Sequence, residues 1–101
     1  MIVVRFKVRC QPDRVEEVAA AMRGVVGPSR GMSGVVHFDV ARDVTDPNCL
    51  LAVEVFEDRA TLDLQEAQPE VAAAMKLFDS GALVAEPEYT IYEVASADSP
   101  A

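Results

Sequence analysis

Ile2 to Arg9 alternates, with Ile2, Val4, Phe6 and Val8 on one side and Val3, Arg5, Lys7 and Arg9 on the other. Successive side chains leave a pleated strand on opposite faces, so this period predicts a half-buried strand. Gln11-Pro12 ends it. Asp13, three residues before Glu16, is a candidate helix N-cap with an acid in the first turn. Val15, Val18, Ala19, Met22, Val25 and Val26 then recur at the spacing of an amphipathic helix, whose last turns Gly24, Gly27 and Pro28 weaken. Val35 to Arg42 alternates again, setting Val36, Phe38 and Val40 against Val35, His37, Asp39 and Ala41. Asp43 to Asn48 is rich in turn residues. Cys49 to Phe56 is more apolar than the other strands, as a central strand covered on both faces would be. Glu57-Asp58 opens a second helix with Ala60, Leu64 and Ala67 on one face. Pro69 breaks it. Val71, Ala74, Met75 and Phe78 resume the helical spacing, Asp79-Ser80-Gly81 ends it, and Glu88 to Val94 reads as a last strand.

The order β-α-β-β-α-β predicts an α+β domain of ferredoxin-like topology. Its antiparallel sheet would run in the order 4-1-3-2, with both helical segments on one face. Residues 1–95 are expected to form this single domain and 96–101 a flexible tail. On the less apolar face, Arg5 and Lys7 would lie between strands bearing Glu54 and Glu93, giving opposite charges across neighbouring strands. The helices can cover only one face. The other would leave Val3, Val35, Leu50, Ala52, Phe56 and Ile91 in water, which predicts a homodimer through the open sheet face.

Composition narrows the function. Nine Lys and Arg stand against 17 Asp and Glu, for a net charge of −8. That balance speaks against nucleic acid and against an anionic membrane surface. No run approaches the ~20 apolar residues of a membrane span, and no secretory leader is visible, so a cytoplasmic location is expected. Cys10 and Cys49 form no CxxC pair and are expected to be free thiols. With His37 as the one histidine, no metal site is expected.

Several segments carry a resemblance to a known family. They are Val3-Val4-Arg5-Phe6-Lys7-Val8, Val26-Gly27-Pro28-Ser29-Arg30, Gly34-Val35-Val36-His37-Phe38-Asp39-Val40, Arg42-Asp43-Val44-Thr45-Asp46-Pro47 and Glu54 through Leu62. In this order and spacing the chain resembles the antibiotic biosynthesis monooxygenases, in particular their quinol-monooxygenase-like branch, within the dimeric α+β barrel superfamily. The resemblance implies a cofactor-independent oxygenase acting on phenolic, quinol or polyketide-like compounds. The pocket would lie between sheet and helices, where a phenol loses its proton and the anion is stabilised while water is excluded. It also matches Glu54 to the family's strand-3 acid, and Phe56 to a position where tryptophan is common. Where many relatives carry histidine, this chain has Gln65 and Glu70.

The candidate catalytic residues are therefore His37, Gln65 and Tyr92. His37 has the right intrinsic titration range, although alternation opposes it to Phe38, so helices on the Phe38 face would turn it toward the dimer interface. Gln65 can hydrogen-bond a phenol oxygen, and Tyr92 could aim its hydroxyl into the cleft. Phe38, Glu54, Phe56 and Met75 are the candidate substrate-binding residues. The alternative is a non-catalytic dimer that binds a small ligand or acts in stress or regulation. It is favoured if Phe6, Phe38, Met75 and Phe78 fill the space under the helices.

Overall fold

The computed structural model describes residues 1–100. The chain runs β1 (Ile2–Arg9), α1 (Val15–Arg30), β2 (Val35–Asp43), β3 (Asp46–Phe56), α2 (Arg59–Glu66), α3 (Pro69–Leu77) and β4 (Glu88–Glu93). The sheet order is β2-β3-β1-β4 with every neighbour antiparallel, the expected order read from the other edge. Val94–Pro100 carries no helix or strand. Ala101, the last residue of the expected tail, lies outside the described residues. No helix among them is long and apolar enough to cross a membrane.

Local chemistry explains most boundaries. The hairpin between β2 and β3 is tighter than its turn-rich sequence indicates: Asp43 pairs with Asp46, so only Val44 and Thr45 turn. Asp43 Oδ1 accepts from the Thr45 amide and hydroxyl at 2.8 and 2.7 Å, an Asx-type turn that lets β3 start three residues before Cys49. The N-cap of α1 is Arg14 with no side-chain cap, so Asp13 does not cap. The helix also continues through Pro28, which falls in its last turn. In contrast, Asp58 caps α2, accepting from the Thr61 amide at 2.9 Å. Pro69 begins α3 at its first turn, where a missing N–H costs nothing. After α3, the turn Phe78–Ala82 closes on Gly81 at φ 84°.

The buried face of α1 is Val15, Val18, Met22, Val25 and Ser29, close to the expected stripe. That of α2 is not. Thr61, Leu62 and Gln65 point inward, while Leu64 is 65% exposed, so a polar residue takes an inner position that Ala60 and Leu64 were expected to hold.

Strand phases differ from expectation at three places. Directly paired residues share a face, so the pairs Ile2–Phe56, Val4–Glu54, Phe6–Ala52 and Val8–Leu50 place the whole even-numbered side of β3 under the helices. Leu50, Ala52 and Phe56 therefore belong to the core, not to the open face, and Glu54 goes with them. A bulge between Val35 and His37 resets β2, so Val35 and Phe38 both face the core side. In β4, Ile91 lies opposite Val4 and Tyr92 opposite Val3, which also brings Ile91 inward. From Cys49 to Phe56, β3 is apolar on both faces except at Glu54, so its alternation has little contrast, and β4 has too few apolar residues to set its own phase.

The open face carries Val3, Leu51, Val53, Val55 and Tyr92 among its charges. The charge ladder there also has different members. Arg5 meets Glu88 at 3.1 Å, Lys7 meets Asp43 at 2.9 Å, and Arg9 lies 4.0 Å from Asp46. Glu93 lies on the other face, 3.9 Å from Arg59. Cys10 and Cys49 are buried free thiols.

Candidate active site

The helices cover the sheet without filling the space beneath them. A cavity of about 300 Å³ remains. Its floor is Phe6 of β1, Phe38 and Val40 of β2, Ala52 and Glu54 of β3 and Tyr89 of β4. Met22 and Val25 of α1 and Val71, Ala74 and Met75 of α3 form much of the roof, and Gln65 and Glu66 come from α2. Phe6 sits at the centre of an aromatic group, its ring centroid 5.7 Å from Phe78 and 6.1 Å, edge to face, from Tyr89.

Glu54 is the distinctive group in this wall. β3 presents it between Val4 on one side and Phe38 on the other, both buried apolar residues. It is 8% exposed. Among the described residues its carboxylate has no hydrogen-bond or ion-pair partner. Burial, and secondarily the negative charge of Glu66, raise its pKa from 4.5 to about 7. A carboxyl so placed exchanges a proton near neutrality, which its ordinary value would not allow.

Beside it, the Tyr89 hydroxyl donates to Glu66 Oε1 at 3.2 Å. Burial first and Glu66 next push this phenol up to about 12, so it stays a proton donor at ordinary pH. Gln65 is buried and its Nε2 donates to Ser29 Oγ at 3.1 Å. The Ser29 hydroxyl donates in turn to Gln68 Oε1 at 3.2 Å, and Gln68 Nε2 to the Pro28 carbonyl at 3.3 Å.

The structure thus brings Gln65, Phe38, Glu54 and Met75 together at one cavity. It separates the others from it. His37 lies opposite Val55 on the open face, because the β2 bulge leaves Phe38, not His37, beside Glu54. Tyr92 is on that face too, half exposed, because its partner is Val3. Phe56 is fully buried in the core and does not reach the cavity. Sequence reasoning missed Tyr89 and Glu66. The signal for Tyr89 was its aromatic partner: aligning it with Phe6 across β1 and β4 fixes the phase of the last strand. No three His, Cys, Asp or Glu among the described residues are grouped to hold a metal ion.

Sheet order, helical roof and buried acid together define a small α+β domain with an apolar small-molecule cavity on one side of its sheet. The sequence model for antibiotic biosynthesis monooxygenase matches residues 1–77, and the chain belongs to that family. A crystal structure of an antibiotic biosynthesis monooxygenase superposes with a TM-score of 0.84 at 20% identity, covering 95% of this chain and all of that one. Rv0793 from Mycobacterium tuberculosis gives 0.88 at 17% identity, covering 97% and 98%. At these identities the likeness is one of fold. An uncharacterized protein of Synechocystis is 33% identical over 95 residues. The match takes in 93% of this chain and 63% of the length of that relative.

Proposed function

We propose that the chain is a cofactor-independent monooxygenase acting on a phenolic, quinol or polyketide-like molecule held in the cavity, with Glu54 as proton acceptor. The observation that carries the reading is Glu54 itself, a buried carboxyl without a protein partner facing an apolar space of about 300 Å³. A general base works best with a pKa near the operating pH, and Glu54 is raised to about 7. It takes the phenolic proton. The phenolate then supplies the electrons to dioxygen, so that a quinol and O2 give a hydroxyquinone and water. The surrounding Phe and Met side chains keep bulk water from the anion. Gln65 forms the inner wall and holds its position through Ser29. The family membership supports the same chemistry.

The open sheet face fits a homodimer of barrel type, since Val53 and Tyr92 are 40% and 50% exposed there beside Val3, Leu51 and Val55. Light scattering tests this: a monomer at micromolar concentration refutes it.

Oxygen uptake with a panel of quinols and hydroxylated polycyclic aromatics tests the activity. Uptake that Glu54→Gln abolishes supports the assignment, and uptake that persists in this variant removes Glu54 as the base. A non-catalytic ligand-binding role is the second reading. It is favoured by Gln65, which stands where many relatives have histidine and whose amide is committed to Ser29.

A further inference from the structure

The cavity wall contains two carboxylates, Glu54 and Glu66, and no Lys, Arg or His. Arg59, whose charge reaches Tyr89, is 3.9 Å from Glu93 and is not part of the wall. Glu66 accepts one hydrogen bond, from Tyr89, and a carboxylate can accept about four. Glu54 is more than nine-tenths buried, has no partner among the described residues, and faces the same space. The rings of Phe6, Phe38, Phe78 and Tyr89 line it as well. Aromatic faces carry negative potential and attract cations. Both charged groups and the four rings of this wall therefore favour positive charge, and no basic side chain in it compensates an anion.

We propose that the ligand supplies the missing cation: the cavity takes an aromatic compound bearing a protonated amine. The aromatic ring lies among Phe6, Phe38 and Phe78. The ammonium sits toward the mouth, between the free acceptor sites of Glu66 and the Tyr89 ring. This deepens the proposed function by naming the charge class of its substrate, and it rests on that reading only in using the same cavity. Carboxylated and phosphorylated aromatics are disfavoured, because they would bring a standing anion beside two acids, whereas a phenol enters neutral and passes its proton to Glu54.

Three probes with a common ring separate the alternatives: naphthylethylamine, naphthylethanol and naphthylpropionate, titrated calorimetrically into the full-length protein without oxygen just above neutral pH. The amine is expected to bind about tenfold more tightly than the alcohol, with the carboxylate weakest. Glu66→Gln, at an exposed position, is expected to bring the amine down to the alcohol while leaving the alcohol unchanged. Glu54→Gln, which keeps the side-chain shape, lowers the amine preference in the same direction. Alcohol binding as tight as amine binding in the unaltered protein overturns the proposal, as does a preference that survives both substitutions. In those two cases the oxygenase reading stands. Failure of all three probes to bind overturns this proposal, and the oxygen-uptake assay then decides the oxygenase reading separately.

Discussion

On the open face of the sheet each basic side chain of β1 has an acid within 4.0 Å, whereas under the helices Glu54 has no counter-ion. The first arrangement is inexpensive, because each charge has an opposite charge beside it that favours its ionised form. The second is costly, because a low-dielectric surround penalises the ionised carboxylate and nothing nearby offsets it. One four-stranded sheet thus carries paired charges on one side and an unpaired buried carboxyl on the other.

The strongest way to break the contrast is Glu54→Gln. With a quinol substrate, turnover is expected to fall by about 10²–10⁴-fold in oxygen-electrode assays, while Lys7→Met on the open face leaves it unchanged. The same substitution also tests the energetic cost. A folded pKa of about 7 against an ordinary 4.5 means that the fold prefers the protonated acid. The penalty is absent below about 4.5, grows between 4.5 and 7, and is complete above 7. At about 1.4 kcal/mol per pH unit it reaches ~3 kcal/mol as an upper bound. Glu54→Gln is therefore expected to stabilise the protein above pH 7 in urea titrations and to flatten the pH profile.

Gly34→Ala probes the covered side without touching charge. Gly34 has φ 89°, and a Cβ there would come 2.5 Å from Thr61 Oγ1, itself anchored by Asp58. Left-handed backbone alone costs ~1–2 kcal/mol for a non-glycine residue, and the contact adds to it, so the urea midpoint falls by at least that much. Val53→Glu addresses the open face, where an acid set against its own copy is expected to yield a folded monomer by light scattering. The smallest effect is Lys7→Met. Its ammonium holds Asp43, with help from Thr45, well below the usual carboxylate range. That stabilisation is present above the ordinary Asp value and lost as pH falls through the folded one, so the variant loses a small stability increment at neutral pH that added salt also removes.

Strand order and the break at Pro69 are legible in the sequence because periodicity, turn chemistry and connection rules act on short stretches. The burial of β1 follows from its own alternation. So does that of β2 from His37 to Ala41, while the bulge moves Val35 inward; the phases of β3 and β4 do not, because a largely apolar strand and a strand with few apolar residues each take their register from a neighbour. Those two phases decide the site: they moved Glu54 inward and exchanged Tyr92 for Tyr89, while His37 lies outside as its alternation with Phe38 indicates. Gln65 was legible only through resemblance, since its own helix shows Leu64 as the more apolar neighbour.

The chain of hydrogen bonds from Gln65 through Ser29 and Gln68 to Pro28 has a mechanical consequence. A helix interrupted by proline would ordinarily be a place to flex, yet here the interruption is bolted to α1 from both sides. These bonds tie the α2 end and the residue before α3 to the last turn of α1. The cavity wall outside this braced set includes Pro87 and Tyr89, which take no part in these bonds, so a change of shape there leaves the Gln65–Ser29 link intact.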